Sequence, residues 1–247
     1  MIDFKKSVAF TLAETLIVMG IIGVVAALTI PNLNQATGEK EKVARVKKLY
    51  SNLEDAIGRT EAIYGPLSEW DTANLTGTVL TGRMSEFMKH SKECSSSFSG
   101  CFASGISAYS SSGTAPDVAN NAASFVTADG SSVGVVSAAP RTVVGQNGTT
   151  SVVDGGLVVY IDIDGPNKGE NKVGKDVFQF YLNSPDYLLT PAGRGSYGTD
   201  VTDCTTNSNC TGWVVDYDNL DYTKTGSDGK TCSTGSVVLN ASKTSCK

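Results

Sequence analysis

The N-terminal apolar run most limits what this chain can fold into. Residues 10–30 carry a single charge, Glu14, in an otherwise uncharged and mostly apolar stretch of 21 residues. As an α-helix this stretch rises about 31 Å, close to the hydrocarbon thickness of a membrane. A carboxylate inside such a helix costs at least about 2.5 kcal/mol unless it finds a partner. The pattern therefore predicts a membrane-spanning helix with Glu14 as a functional acid. A glutamate that snorkels to the interface is the alternative.

The flanking residues predict that the helix is retained and how it is oriented. Lys5 and Lys6 precede it, which places that end in the cytoplasm by the positive-inside rule and the rest of the chain outside. A secretory signal is cut at small residues that follow its apolar core. Here the core is followed by Ile30-Pro31-Asn32-Leu33, which is no such site.

The run Phe10-Thr11-Leu12-Ala13-Glu14-Thr15-Leu16, with the apolar stretch behind it, resembles the N-terminus of type IV pilins and type II secretion pseudopilins. The resemblance implies that residues 1–9 are a leader, which a prepilin peptidase cuts between Ala9 and Phe10. It also implies that the new N-terminal amine of Phe10 is methylated. The family's usual residue before the cut is glycine, and Ala9 departs from that pattern.

The same resemblance assigns roles in assembly. It maps the family's glutamate onto Glu14, which would pair with the freed amine of Phe10 on a neighbouring subunit and so fix the stagger between helices. It maps the helix-bending proline onto Pro31, which should kink or locally break the helix because it removes a backbone donor. The implied partners are other subunits, the prepilin peptidase and methyltransferase, the filament assembly platform and the membrane.

The implied function is that of a structural subunit of a type IV pilus-like or type II secretion filament, and the long head and extra cysteines favour a minor subunit. The subunit would wait in the bacterial inner membrane as a single-pass protein, with its N-terminus in the cytoplasm and its head in the periplasm. The alternative is a membrane-anchored, adhesin-like surface binding protein that does not polymerise.

The predicted fold is α+β and pilin-like, with a long N-terminal helix packed on a C-terminal antiparallel sheet. Residues 10–31 form the membrane or filament-core half of the helix, and residues 32–64 form an amphipathic second half. Residues 65–247 form a disulfide-containing, β-rich head with a Ser/Gly-rich insertion at about 95–150. Apolar residues recur at three- and four-residue steps along the second half, and this stripe should pack on the chain's own sheet: Val43, Val46, Tyr50, Leu53, Ile57 and Tyr64.

Several segments of the head have strand patterns. Residues 156–164 and 176–182 read as strands, and Asp129-Gly130 predicts the turn of a hairpin. In pseudopilin-like proteins a Cys–Trp strand and an Asn-x-Asp-Tyr strand lie near the end of the chain. That resemblance implies strands at 210–215 and 219–222, with Trp213 in the core.

The loop between the first two of these strands is rich in hard oxygen ligands, which calcium prefers. Major pseudopilins bind calcium in a C-terminal loop, and the block that begins Asp162-Ile163-Asp164 resembles a strand–loop–strand block of such proteins. The resemblance implies a calcium site. The alternative, which the residues favour, is an Asx-type turn in which the side chains bond their own backbone. The candidate ligands are Asp162, Asp164, Asn167 and Asp176, with Glu170 a further oxygen donor.

Six cysteines in an exported chain indicate disulfides. Fifteen connectivities are available. The simplest pairs nearest neighbours: Cys94 with Cys101, Cys204 with Cys210, and Cys232 with Cys246.

The sequence argues against an enzyme and against a nucleic-acid protein. It has no Gly-x-Ser-x-Gly elbow and no phosphate-binding Gly-Lys-Ser/Thr loop, and its one histidine, His90, lacks a nearby ligand set. The formal charge of −5 makes a nucleic-acid partner a poor expectation. No cofactor other than calcium is indicated.

Overall fold

A computed structural model describes most of the chain, which is α+β as predicted. It separates into two compact units, residues 1–41 and residues 42–247. The described residues are 12–71, 73–106, 122–137, 141–144, 150–153, 156–194, 201, 204, 210–226, 230–232 and 237–246, without the side chains of 29–37, 141–144 and 150–153.

The first element is the helix α1, Leu12–Tyr64, of 53 residues. The predicted start at Phe10 lies outside the described residues, and the helix is continuous through Pro31. A local break at Pro31 is therefore wrong, because the hydrogen bonds of the turns on both sides outweigh the one that proline removes. A bend at this residue stays a prediction. The helix ends as predicted at Gly65, which has a left-handed φ of 85°.

The predicted membrane span is also wrong. Within the residues that the structure describes, no helix is both long enough and apolar enough to cross a membrane. This finding overturns the transmembrane assignment of residues 10–31. It also overturns the single-pass inner-membrane location with a cytoplasmic N-terminus, and the membrane anchor of the adhesin-like alternative.

The second unit is built on a six-stranded antiparallel sheet in the order β1-β2-β3-β6-β7-β8. A separate pair, β4 and β5, is also antiparallel. The strands are β1 (His90–Cys94), β2 (Ala123–Thr127), β3 (Ser132–Ser137), β4 (Arg141–Val144), β5 (Thr150–Val153), β6 (Leu157–Asp162), β7 (Val177–Leu182) and β8 (Leu189–Pro191). The helix α2 (Gly77–Ser85) precedes the sheet, and α3 (Thr211–Tyr217) follows it. Two 3₁₀ turns lie at Leu67–Glu69 and Asp221–Lys224.

The central strand β6 is buried along its whole length, because both faces of the sheet are covered. Val159 and Ile161 belong to the main core together with Leu49 and Leu53 of α1. The alternate residues of β6 pack in a second cluster with Phe98 and its neighbours. A strand that is buried on both faces has a nearly continuous apolar sequence, and this is why the sequence predicted β6 as a strand.

The predicted stripe on α1 meets the main core. Val43, Val46, Leu53 and Ile57 are buried, and Tyr50 stacks on a phenylalanine of β7 at 5.3 Å between ring centroids. The last member of the stripe is exposed at the helix end. The packing of the stripe from Val43 to Ile57 on the chain's own sheet is therefore confirmed.

Two predicted strands near the C-terminus are wrong. Residues 211–217 form α3, and residues 221–224 form a 3₁₀ turn. Trp213 is fully buried as predicted, and its indole Nε1 donates to Asn219 Oδ1 at 2.9 Å. The backbone of Gly212 approaches Arg194 so closely that an added Cβ would lie 2.5 Å from the Arg194 Cα. This packing fixes a helix despite the strand preference of the two valines that follow Trp213.

All three predicted disulfides are confirmed. They join Cys94 to Cys101, Cys204 to Cys210, and Cys232 to Cys246. No cysteine of the chain is left as a free thiol.

Candidate functional site

The first candidate site is the exposed apolar segment, which we define as residues 12–28 of α1. Its ten large apolar side chains are between 51% and 80% exposed. They cover every side of the helix, whereas a helix that packs on one partner surface shows a single apolar stripe. The ten are Leu12, Leu16, Ile17, Val18, Met19, Ile21, Ile22, Val24, Val25 and Leu28.

Glu14 lies in the first turn of α1, at the positive end of the helix dipole. Gly20 and Gly23 lie further along, and a Cβ added to either would have no heavy atom within 4 Å. These glycines leave the backbone of the exposed apolar segment accessible to a close neighbour. The processing residues Ala9 and Phe10 lie outside the described residues, so cleavage and methylation stay predictions.

The second candidate site is the acidic loop, which we define as residues 162–176 between β6 and β7. Asp162 ends β6 and is 1% exposed, and Asp176 is fully buried. Asp162 Oδ1 accepts hydrogen bonds from the amides of Asp164 at 3.1 Å and Gly165 at 3.0 Å. This is the Asx-type turn that the residues favoured, and it is confirmed.

Asp176 holds the other side of the loop. Its Oδ2 accepts from the amide of Asn171 at 2.8 Å, and its Oδ1 accepts from the amide of Lys172 at 2.7 Å. Both oxygens of this buried carboxylate are therefore satisfied by the backbone, which orders the loop around it.

Three buried side-chain oxygens have no hydrogen-bond partner within the described part of the chain. They are Asp162 Oδ2, Asn171 Oδ1 and Ser132 Oγ. Ser132 is the cross-strand partner of Asp162 in the pairing of β3 with β6, so the two side chains lie on the same face of the sheet. Unsatisfied buried oxygens are rare in native proteins, and their grouping on and beside one loop marks it as a candidate site.

The electrostatics of the acidic loop also mark it as a candidate site. Burial raises the pKa of Asp162 to about 7, although the amides of Asp164 and Gly165 oppose the shift. The nearby carboxylates of Asp176 and Asp164 raise this pKa further. A cation bound beside Asp162 would favour its ionised form and offset this effect of burial.

The structure brings only part of the predicted calcium set together. Asp164 faces Lys42 at 4.0 Å and Arg45 at 3.8 Å, and Asn167 is exposed. Glu170 pairs with Lys175 at 2.8 Å. Among the described residues, no group of three or more His, Cys, Asp or Glu side chains is arranged to hold a metal ion. The buried oxygens without partners include those of Asn171 and Ser132, which the sequence did not single out.

The basic residues of α1 also have partners that the sequence did not reveal. Four of them pair with acidic residues in loops of the head, and two of the four, Lys42 and Arg45, contact Asp164. Lys48 bonds Asp129 at 2.7 Å, and Lys47 pairs with Asp218. Burial alone would raise the pKa of Asp129, but hydrogen bonds, of which that from Lys48 is the largest, lower it to about 2. Each contact joins distant parts of the chain, so no local spacing could have predicted it.

Comparison with known proteins adds no further constraint. No protein-family model, no curated protein and no solved structure matches this chain.

Proposed function

We propose that this chain is a structural subunit of a filament of the type IV pilin or pseudopilin kind, and that it assembles through the exposed apolar segment. The observation that carries the proposal is the exposure of ten large apolar side chains on every side of one helix. Full burial of one such side chain contributes about 1.5–3 kcal/mol. The segment therefore provides a strong drive for association.

A second copy of the chain is the occupant that suits this segment best. A helix that is apolar on all sides is stable in water only when all its sides are buried. A bundle of identical helices buries them all. Gly20 and Gly23 allow neighbouring helices to approach closely. Glu14, near the start of the bundle, would pair with the freed Phe10 amine of the next copy. The proposed partners are therefore other subunits, a prepilin peptidase and methyltransferase, and an assembly platform.

Replacing Glu14 by Ala should prevent incorporation into filaments while the head stays folded. The buried N-terminal amine of the adjacent copy would lose its counter-charge, and breaking a buried pair costs about 3–5 kcal/mol. The measurement is the fraction of chain in sheared filaments from cells that express each variant. Glu69→Ala, at an exposed turn of the head, is the matched control and should assemble normally. Normal assembly of the Glu14 variant would remove the proposed role of this carboxylate.

Calcium in the acidic loop is a second proposal, supported by the three buried oxygens without partners. When bound, the ion would supply positive charge to hard oxygens. Asp162, Asn171 and Ser132 would hold it, and Asp176 would keep the loop ordered.

Millimolar calcium should raise the Tm of the purified chain at pH 8, where Asp162 is ionised, because a ligand that binds only the folded state stabilises it. At a hundredfold excess over Kd the gain is about 2.7 kcal/mol. Asp162→Asn should abolish the response. Glu170→Gln, which changes an exposed carboxylate of the same loop, should retain it. An equal response of the wild type and the Asp162 variant in differential scanning fluorimetry would rule out the site.

A further inference from the structure

We infer that Met19 is a redox-sensitive position that controls assembly: its oxidation to the sulfoxide blocks association of the exposed apolar segment, and association protects it from oxidation. The inference rests on the proposed function, because it assigns a form of regulation to the same segment.

The methionines of this chain differ sharply in access. Met19 is 73% exposed, whereas Met84 is fully buried and Met88 is 8% exposed. The fourth, Met1, lies outside the described residues and in the leader that the prepilin resemblance removes. Oxidation of a thioether requires contact with the oxidant, so Met19 should react first among the described methionines.

No thiol competes with Met19 for oxidant. All six cysteines form disulfides, and none is free. Thiolates are the usual first targets of peroxide in proteins. In their absence the Met19 thioether is the accessible soft nucleophile of the described chain.

The reaction needs only a peroxide as co-reactant. The thioether sulfur attacks one peroxide oxygen with a lone pair, the O–O bond breaks, and an S–O bond forms. The sulfur loses two electrons, and the peroxide is reduced to water. Methionine sulfoxide reductases reverse the change, so the modification can act as a switch.

Because of the position of Met19, its oxidation should affect assembly. Met19 lies near the middle of the exposed apolar segment, between apolar neighbours on both sides. Any association that covers the segment covers this side chain. A sulfoxide oxygen needs a hydrogen-bond donor, and the polar side chain one helical turn before Met19, Thr15, already donates its hydroxyl to the Leu12 carbonyl at 2.9 Å. Burial of an unsatisfied polar oxygen should weaken association about tenfold or more.

The test uses the purified full chain and hydrogen peroxide. Dissociated chain is treated with peroxide, the oxidation of each methionine is quantified by peptide mass spectrometry, and association is followed by sedimentation velocity. We expect Met19 to be oxidised at least tenfold faster than Met84 and Met88, and the treated chain to associate at least tenfold more weakly. Pre-associated chain should be protected at Met19.

Two variants distinguish the effect of Met19 oxidation from that of general oxidative damage to the chain. Met19→Leu, which has no thioether to oxidise, should show the same strength of association before and after peroxide, whereas Met19→Gln should associate more weakly than the wild type without peroxide. Equal oxidation rates for the three methionines, or unchanged association after full oxidation of Met19, would overturn the inference alone. Failure of the untreated wild type to associate would overturn the proposed function and, with it, the switch.

Discussion

Replacing Ile21 by Asp should abolish self-association of the purified chain and leave the head folded. Ile21 lies in the exposed apolar segment and is 60% exposed in the single chain. Association would bury it, and an unpaired carboxylate in an apolar bundle costs several kcal/mol. The apolar contribution of the isoleucine, about 1.5–3 kcal/mol, would also be lost. Each 1.4 kcal/mol weakens association about tenfold, so the expected loss exceeds a hundredfold.

Leu188→Asp is the matched control for this experiment. Leu188 is 70% exposed and lies just before β8, outside the exposed apolar segment. It receives the same charge at a side chain of comparable exposure, and we expect association to persist. Sedimentation velocity measures association, and circular dichroism with the unfolding midpoint reports on the fold. If both variants lost association, a general effect of charge would explain the result and the assembly role of the segment would be contradicted.

The parts of the fold that were predictable depend on local sequence patterns. β6 and β7 are short, mostly apolar runs bounded by turn residues. The hairpin between β2 and β3 turns at Asp129-Gly130 as predicted. The disulfides join cysteines that are near neighbours in sequence. In each case the residues that decide the structure lie within a few positions of one another.

The predictions from sequence fail where contacts between residues that are far apart in the chain determine the local structure. The segment around Trp213 has strand-forming valines, yet it forms α3, because the tryptophan is buried and Gly212 contacts the backbone at Arg194. Within the Ser/Gly-rich stretch at about 95–150 the turn at Asp129-Gly130 was predicted, but the place of β2 and β3 in the central sheet was not.

The acidic loop shows the same division between local and distant information. The Asx turn at Asp162 follows from the residues next to it. The burial of Asp162 beside Ser132 depends on the pairing of β3 with β6, which are about thirty residues apart in sequence. Asn171, whose buried side-chain oxygen has no partner, adopts a left-handed φ of 52° inside the loop, which its neighbours in sequence did not predict. The candidate ligand set could therefore not be completed from spacing alone.

Gly165→Ala should destabilise the head by about 3 kcal/mol, because two effects add at this residue. Gly165 has a φ of 78°, which costs a residue with a Cβ about 1 kcal/mol. An added Cβ would also lie 2.1 Å from the Gly130 carbonyl oxygen, which belongs to the β2–β3 turn. Overpacking of this kind typically costs a further 1–3 kcal/mol. For a unit of this size, we expect the Tm to fall by roughly 6–12 °C.

Gly105→Ala separates the two effects. Gly105 has a φ of 84°, but a Cβ added there would meet no heavy atom within 4 Å. This variant should lose only the conformational part, about 1 kcal/mol or roughly 2–4 °C in Tm. Because the acidic loop rests on the β2–β3 turn through Gly165, the Gly165 variant should also weaken the proposed calcium response, whereas the Gly105 variant should not. Equal thermal losses for the two variants would show that backbone conformation, and not the contact between loop and turn, decides the stability of the acidic loop.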